Sequence, residues 1–243
     1  MTGAMNQDYS DWHARNRQKW ESLFRKKIDA ASYNKYPIEH IVIFMARNYY
    51  AVKERSSVRV LELGCGSGNN LVFLAREGFK AYGVDFSPSA LELSKRHLDM
   101  FGYTADLRQS CISELPFEDG SFDAVIESNT LHCNMAATIA KSFGEIFRVL
   151  KPGGKFYGIM ASDRCAEVSM GKPIETNTVC LTGVKTLRGQ FDDFPLLHFF
   201  SKEEIIKLTQ NFTGRSLELD LTTRENDDGN PYPIGYWLMQ LVK

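Results

Sequence analysis

Apolar residues in this chain fall into short continuous runs, separated by longer stretches in which apolar and polar positions recur at helical spacing. Four runs of the first kind predict strands: 58–63, 81–84, 122–127 and 155–161. The apolar, β-branched run at 58–63 is typical of a strand covered on both faces. Three stretches of the second kind predict helices: 69–77, 87–101 and 135–150. A weaker run at 107–110 predicts one more strand. Alternation of strand and helix at this spacing predicts a doubly wound α/β sheet.

The two ends of the chain and one internal segment fall outside this alternation. Residues 8–55 read as helices and define an N-terminal helical cap at 1–55, with the main domain at 56–243. Ser201 and Glu204 form a capping box that starts a helix over 201–210. The runs at 217–222 and 236–242 predict a closing antiparallel pair of strands. We expect the cap and an insert at 162–200 to lie over the carboxyl edge of the sheet, where such folds bind ligands.

The stretch VRVLELGCGSGNN, residues 58–70, places Gly64, Gly66 and Gly68 directly after the first strand. Glycine permits a sharp turn and lets the backbone approach a ligand without a Cβ in the way. A dinucleotide fingerprint would have its third glycine where Asn69 stands. A glycine-rich turn by itself does not decide the ligand.

Two acidic residues flank this glycine loop. Glu62 precedes the first glycine by two positions, and a carboxylate there favours a cationic or hydrogen-bond-donating ligand over a phosphate. Asp85 ends the second strand, 17 residues after Gly68. At this position its carboxylate could accept hydrogen bonds from both hydroxyls of a ribose diol. Together they favour a ligand that has a ribose diol and a cationic or hydrogen-bond-donating group.

These residues resemble a known family, the class I methyltransferases that use S-adenosylmethionine. ELGCGSG at 62–68 resembles the first motif of that family, and the segments 112–132 and 145–158 resemble its later motifs in the expected order. The resemblance implies a Rossmann-like seven-stranded sheet, mostly parallel with a closing antiparallel strand. It also implies S-adenosylmethionine as cofactor and an in-line transfer of its methyl group.

The resemblance implies a role for each matching residue. Glu62 supports the loop, and the backbone of the loop lies against the methionine part of the cofactor. Asp85 accepts from the ribose hydroxyls. The residues expected to contact the cofactor are Tyr36, Glu62, Gly64, Cys65, Gly66, Gly68, Asp85, Phe86, Cys111, Ile112, Glu127 and Ser128. Many relatives carry Asp where Cys111 stands, and a thiol is a much weaker acceptor for the adenine amino group.

Candidates for chemistry on the acceptor follow the fourth and fifth strands. His132 is the candidate general base, with packing or helix capping as the alternative. Asp163 and Arg164 are candidate substrate contacts. The alternative is that they lie in a solvated turn. His198 is a further candidate substrate contact. The alternative is that it is a buried core residue. Tyr33 and Tyr36 belong to a set of aromatic residues that either cover the cofactor or pack the N-terminal helices, while RKK at 25–27 is expected on a solvated helix face.

Composition narrows the class of partner. The chain has 43% hydrophobic and 24% charged residues with a formal net charge of −1, which argues against binding to nucleic acid or to an anionic membrane. Its five cysteines form no CxxC pair, which argues against a zinc site or a disulfide framework and favours the cytoplasm. No apolar run has the length of a membrane span. A homodimer is left open.

The favoured hypothesis is methyl transfer to an O or N atom of a small metabolite, without a metal. The sequence around the fourth strand lacks the Asn/Asp-Pro-Pro-aromatic motif of enzymes that methylate exocyclic amines of bases. Three alternatives stay open: a protein methyltransferase, a non-catalytic S-adenosylmethionine-binding scaffold, and a nicotinamide oxidoreductase. The missing third glycine argues against the last.

Overall fold

The computed structural model describes residues 2–30, 34–187, 189 and 191–243, with side chains from Asp11 onward. Tyr33 lies outside the described residues. Within them, ten strands occur: β1 (Arg59–Leu63), β2 (Lys80–Asp85), β3 (Asp106–Gln109), β4 (Phe122–Ser128), β5 (Leu150–Ala161), β6 (Lys172–Glu175), β7 (Thr178–Cys180), β8 (Leu197–His198), β9 (Gly214–Glu225) and β10 (Pro231–Val242). The α-helices are α1 (Thr2–Asp29), α2 (Glu39–Tyr49), α3 (Asn69–Arg76), α4 (Pro88–Met100), α5 (Ala136–Val149), α6 (Glu167–Met170) and α7 (Lys202–Leu208).

Seven of these strands form one sheet in the order β3-β2-β1-β4-β5-β10-β9. Neighbouring strands from β3 to β5 pair in parallel, whereas β10 pairs antiparallel with both β5 and β9. The predicted fold class is therefore confirmed: a mostly parallel sheet is closed by an antiparallel strand. The order reverses between β1 and β4, which creates a crevice at their carboxyl ends.

Helices cover both faces of the sheet because the central strands are apolar on both sides. Ile41, Phe44 and Met45 of α2 pack with α3 and with Val60, Ala124 and Ile126 on one face. On the other face α5 and α7 pack against alternate residues of the same strands, among them Leu61 and Val125. Ser87 caps α4 by accepting from the Ala90 N–H, and Ser201 caps α7 by accepting from the Glu204 N–H, as the sequence predicts.

Helix α1 lies across the carboxyl edge of the sheet. The Glu21 carboxylate accepts hydrogen bonds from the Ser87 hydroxyl at 2.6 Å and from the Ser89 hydroxyl, both at the start of α4. The Phe24 ring lies close enough to Gly66 that a Cβ there would come within 3.3 Å of it. The helix therefore covers the glycine loop, as expected for the N-terminal cap.

The described part of the insert at 162–200 contains α6 and a three-stranded antiparallel sheet β6-β7-β8. Its aromatic residues Phe191 and Phe194 form a core with Cys133 and Leu197. Trp20 of α1 packs on Phe194 with ring centroids 5.1 Å apart, and Lys19 forms an ion pair with Asp193 at 3.1 Å. The insert thus supports α1 from outside.

Two local features differ from the sequence prediction. β5 begins at Leu150, directly after α5, so KPGG at 151–154 lies inside the strand at an irregularity in its pairing with β4. β9 and β10 are each 12 residues long, because the hairpin extends well beyond 217–222 and 236–242.

Three further observations concern the described residues. None of their helices is both long and apolar enough to cross a membrane. All five cysteines fall among them, and each is free. No group of three or more His, Cys, Asp or Glu side chains in the described ranges has an arrangement that could hold a metal ion.

Candidate functional site

A cavity of about 730 Å³ opens at the carboxyl ends of β1, β2 and β4. Its floor is the glycine loop after β1, and its roof is α1. Because β1 lies between β2 and β4, the residues that follow these strands line the cavity in spatial order. Phe86, Cys111 and Ile112 stand at one end, Gly64 to Ser67 in the middle, and Ser128 to Thr130 at the other end.

The glycine loop is shaped by left-handed backbone conformations. Gly64 has φ +61° and Gly66 has φ +52°, a region that L side chains rarely adopt. A Cβ on Gly64 would lie 2.2 Å from Thr130 Oγ1, so only glycine allows the loops after β1 and β4 to meet there. Gly68 lies outside the cavity lining and begins α3, where a Cβ would collide with Ser94.

Asn69, which stands where a dinucleotide fingerprint has glycine, ties the chain before α2 to this loop. Its amide nitrogen donates to the Tyr36 carbonyl at 2.9 Å. Next to it, Asn70 accepts from the Ile38 N–H at 2.9 Å and donates to Glu62 at 2.7 Å. The two asparagines therefore connect the cap, the loop and the buried acid of β1.

Glu62 lines the cavity and is almost fully buried. Its Oε1 atom accepts from Asn70, while Oε2 has no hydrogen-bond partner among the described residues. Burial, with a smaller contribution from the carboxylates of Asp85 and Glu127, raises the pKa of Glu62 to about 8, and the hydrogen bond from Asn70 opposes the rise. A cationic or donating ligand group would stabilise the ionised form.

Asp85 ends β2 with both carboxylate oxygens engaged by backbone donors. Oδ2 accepts from the Gly66 N–H at 3.0 Å, and Oδ1 accepts from the Ser87 N–H at 2.9 Å. Burial raises the pKa of Asp85 to about 6, and these two donors oppose the rise. Each oxygen keeps a lone pair that a ligand hydroxyl in the cavity could use.

The remaining lining residues from the predicted set surround these acids. Cys65 is buried beneath the loop, and its N–H donates to Val84. The Cys111 thiol lies 3.2 Å from the Ser113 hydroxyl. Predicted cofactor-contact residues that line the cavity are Glu62, Gly64, Cys65, Gly66, Asp85, Phe86, Cys111, Ile112 and Ser128.

Glu127 lies beneath the cavity rather than in its wall. Its Oε2 accepts from the N–H groups of Thr130 and Leu131, and its Oε1 accepts from the Ile159 N–H. Burial raises the pKa of Glu127 to about 7, and the three donors limit that rise. Its carboxylate therefore holds the loop after β4 in place.

Tyr36 also stands apart from the cavity wall. Its side chain is 78% exposed, because Asn69 holds its carbonyl and turns the ring toward solvent. Its neighbours Asn34 and Ile38 line the cavity instead.

The candidate acceptor-side residues His132 and His198 are core residues outside the cavity lining. His132 Nδ1 accepts from the Ala161 N–H at 3.3 Å, the ring packs edge-on against Phe191, and burial lowers its pKa to about 3. His198 is fully buried between Thr178 at 2.8 Å and the Glu204 carboxylate at 3.0 Å.

Asp163 and Arg164 lie in a turn after β5, outside the cavity lining, and form a 3.8 Å ion pair with each other. None of the described residues of the insert lines this cavity. The insert instead supports the lining from behind, because its aromatic residues pack on Trp20 of α1 and on Cys133.

Helix α1 supplies a stripe of lining residues that sequence reasoning missed. Members of the stripe recur every three or four positions: His13, Asn16, Arg17, Trp20, Phe24 and Lys27. This spacing places them on one face of a helix. Lys27, expected on a solvated face, is partly buried against Phe24, and burial lowers its pKa. The signal in the sequence is the helical spacing of His13, Asn16 and Trp20.

Comparison with known proteins agrees with this architecture. A family model described as a methyltransferase domain matches residues 60–154. An uncharacterised methyltransferase of Synechocystis is 39% identical over 98 residues, which is 40% of this chain and 44% of that protein. A ubiquinone biosynthesis O-methyltransferase of Methylocella silvestris is 32% identical over 114 residues, 46% of this chain and 43% of that protein. The chain thus matches less than half the length of these curated relatives.

A solved structure shares the fold over nearly the whole chain. It is the 1,6-didemethyltoxoflavin-N1-methyltransferase of Burkholderia thailandensis, with bound 1,6-didemethyltoxoflavin and S-adenosylhomocysteine, at a TM-score of 0.60 and 16% identity. The similarity covers 97% of this chain and 90% of that one. At this identity it shows a common fold.

Residues 60–154 match a methyltransferase domain, and the glycine loop and strand order agree with the fold of the class I S-adenosylmethionine-dependent methyltransferases. The cavity fits that cofactor: Glu62 Oε2 is a buried acceptor that lacks a partner in the described residues, and Asp85 offers lone pairs to a diol. A row of carboxylates suits a ligand that carries a sulfonium and an ammonium group, and would repel a pyrophosphate.

Proposed function

We propose that this protein transfers a methyl group from S-adenosylmethionine to an O or N atom of a small molecule. One observation carries the proposal. The cavity combines the buried acids Glu62 and Asp85 with a helical roof, which suits a cationic nucleoside and a small acceptor under one cover. The relatives support a small acceptor, since two of them are named as an O-methyltransferase and an N1-methyltransferase.

The cofactor supplies a methyl group already activated on a sulfonium, so the protein chiefly binds and orients. Asp85 would hold the ribose hydroxyls, and Glu62 would accept from the amino group. Phe86 and Ile112 would flank the adenine, with Cys111 at its edge. Gly64, Cys65 and Gly66 would lie along the methionine part, and Ser128 would stand at the end that carries the methyl group.

Gly68 and Glu127 would act by shaping the two loops. Tyr36, His132, Asp163, Arg164 and His198 lie outside the cavity lining and have no part in this mechanism. Location in the cytoplasm, a homodimer, and the division at residue 55 stay predictions of the sequence.

Enclosure favours a small acceptor over a protein side chain. Helix α1 spans the cavity and is held at both sides. Its Glu21 accepts hydrogen bonds from Ser87 and Ser89, and its Trp20 ring packs on Phe194. A peptide acceptor would have to displace this helix. Turnover of a folded protein by the wild-type enzyme would favour the alternative.

Calorimetric titration tests the cofactor part of the proposal. We expect S-adenosylmethionine to bind and NAD not to bind. Asp85→Asn should weaken S-adenosylmethionine by about tenfold or more, because an amide turns one acceptor into a donor facing backbone N–H groups. Asp106→Asn is the matched control, since Asp106 pairs with Arg108 on the surface.

Binding of NAD alone would overturn the assignment of the loop. Binding of S-adenosylmethionine with no methyl transfer to any compound in a metabolite screen would favour the non-catalytic scaffold.

A further inference from the structure

The end of the cavity beyond β4 has a polar lining that the cofactor roles above do not use. Helix α1 contributes His13, Asn16 and Trp20, and the start of α5 with the residues before it contributes Asn134 and Thr138. We call these five residues the α1–α5 pocket. It adjoins Ser128 and Asn129, at the opposite end of the cavity from Phe86.

Asn16 lines this pocket and carries a buried, unsatisfied acceptor. Its side chain is only 5% exposed, and its Nδ2 atom donates to the Cys133 carbonyl at 2.5 Å. Because a carbonyl can only accept, the nitrogen of the amide must face Cys133. Oδ1 is then left without a partner among the described residues. A buried acceptor without a donor is costly, which indicates that a ligand supplies one.

His13 stands one helical turn away from Asn16 and faces Thr138. Its Nε2 atom lies 3.1 Å from the Thr138 hydroxyl. Burial lowers the pKa of His13, Arg17 on the same helix lowers it further, and Glu175 of β6 opposes them. The imidazole is therefore neutral near pH 7 and has a lone pair to receive a proton.

None of the five residues carries a fixed charge. Arg17, which lines the cavity next to Asn16 on α1, has its guanidinium over the Phe86 ring at 5.9 Å. Trp20 adds apolar ring surface, stacked on Phe24 at 5.8 Å. A pocket of this kind suits an uncharged molecule with an apolar body and a hydrogen-bond donor.

We propose that the α1–α5 pocket is the methyl-acceptor site, that it takes an uncharged acceptor bearing an O–H or N–H group, and that His13 receives the proton of that group. The inference rests on the proposed function. Asn16 Oδ1 would accept a hydrogen bond from the O–H or N–H group as the acceptor binds, and during methyl transfer that proton would pass through Thr138 to His13 instead.

The step balances without a further reactant. The acceptor atom forms its bond to the methyl carbon as the carbon–sulfur bond breaks, and the electron pair of that bond stays on sulfur. The acceptor proton passes to the Thr138 hydroxyl, whose own proton moves to His13 Nε2. The imidazolium then releases the proton to solvent after the product leaves.

Nuclear magnetic resonance of the protein saturated with S-adenosylhomocysteine tests the pocket. The probes are phenol and aniline, with anisole as a control that has the same ring but no donor. We expect phenol or aniline to shift the His13 ring and the Asn16 side-chain amide, and anisole to shift them far less. His40, outside the cavity lining, is the internal control histidine.

Variants separate binding from proton transfer. Asn16→Ala should weaken the donor probe by about fivefold and leave S-adenosylhomocysteine affinity unchanged. With S-adenosylmethionine and the same probe, His13→Gln should lower kcat by about 100-fold with little change in KM, and added imidazole should restore part of the rate to His13→Ala. His40→Gln should match the wild-type protein.

Each outcome decides a part of the proposal. Equal shifts from phenol and anisole, or none from any probe while S-adenosylhomocysteine binds, would overturn the acceptor site. Methylation at an unchanged rate in His13→Gln, or no methylation of a bound donor probe, would overturn the proton role of His13. Failure to bind S-adenosylhomocysteine would instead overturn the proposed function.

Discussion

The buried carboxylates of this site differ in what they face. Glu127 is surrounded by three backbone donors and serves the loop after β4. Glu62 has an oxygen that lacks a partner among the residues described and faces the cavity. Two glutamates at the ends of adjacent strands thus have different tasks, because one points into a loop and the other into the cavity.

Gly64 is the backbone position most tightly constrained at this site. Gly64→Ala would need a left-handed φ of +61° and would bring a Cβ within 2.2 Å of Thr130 Oγ1. Thr130 has little freedom to turn away, since its hydroxyl donates to the Leu63 carbonyl at 3.1 Å. We expect the free energy of unfolding in urea to fall by about 2–4 kcal/mol, from backbone strain and overpacking together.

Gly102→Ala is the matched control for this prediction. Gly102 has φ +71° with nothing within 4 Å of the added Cβ, so only the backbone strain of about 1–2 kcal/mol applies. Equal losses in the two variants would show that the contact with Thr130 has no role.

At the scale of elements, α1 depends on contacts outside itself. Its sequence is largely polar, and its Glu21 carboxylate is held by hydroxyl groups of Ser87 and Ser89. Burial opposes ionisation of Glu21, but these hydrogen bonds outweigh it and lower the pKa. Ser87 also donates its N–H to Asp85. The hydrogen bonds from Ser87 and Ser89 to Glu21, which we call the Glu21 clasp, therefore adjoin the proposed ribose site.

Glu21→Gln should loosen this clasp. We expect trypsin to cut α1 about tenfold faster in the unliganded variant, since hydrogen bonds to an ionised group contribute about 1.5–3 kcal/mol. S-adenosylhomocysteine should slow the cleavage in both proteins. Glu92→Gln is the control, because it removes ion pairs with Arg25 and Arg96 but keeps the clasp. A cleavage rate equal to that of the wild-type protein would show that Glu21 does not hold the helix.

At the scale of the whole molecule, the buried acids link stability to pH. Burial raises the pKa of Asp85 to about 6, of Glu127 to about 7 and of Glu62 to about 8, all above the ordinary range near 4. At these three groups the folded protein therefore binds more protons than the unfolded chain between about pH 4 and 8, whereas His132, whose pKa is lowered to about 3, opposes this below pH 6.5. The contribution of the three acids to stability is present in full below pH 4 and is lost as pH rises to 8.

We therefore expect the unfolding midpoint in urea, measured without ligand, to decrease from pH 6 to pH 8. Glu62→Gln should flatten the decrease in this range, because a neutral amide does not titrate. S-adenosylmethionine should raise the midpoint more at pH 8 than at pH 6, since its positive groups favour the ionised carboxylates. A midpoint that rises with pH in both proteins would contradict the expected state of Glu62.

Much of the central sheet could be predicted from local pattern. Strands buried on both faces appear as continuous apolar runs, and Ser87 with Pro88 marks the start of α4 within one turn. The family resemblance extended this to the seven-stranded, mostly parallel sheet with its closing antiparallel strand and to the acids at the carboxyl ends. Those features depend on neighbours in sequence or on a recurring motif.

The small sheet of the insert had no such signal. Its strands are two to four residues long, too short for a period of two to stand out, and they pair through contacts within a segment of mixed polarity. The places of His132 and His198 were likewise unresolved, because a histidine that packs in a core and one that lines a cavity look alike in sequence.

The sequence by itself determined the class of fold, the glycine loop and its two acids, since strand burial and left-handed glycine positions leave a local trace. Only the tertiary structure decided which face of α1 covers the site. Asn16 meets Cys133, His13 meets Thr138 and Phe24 meets Gly66, partners dozens of positions or more away in the chain. A polar helix with scattered aromatic residues has several faces that could be buried, and long-range packing selects one.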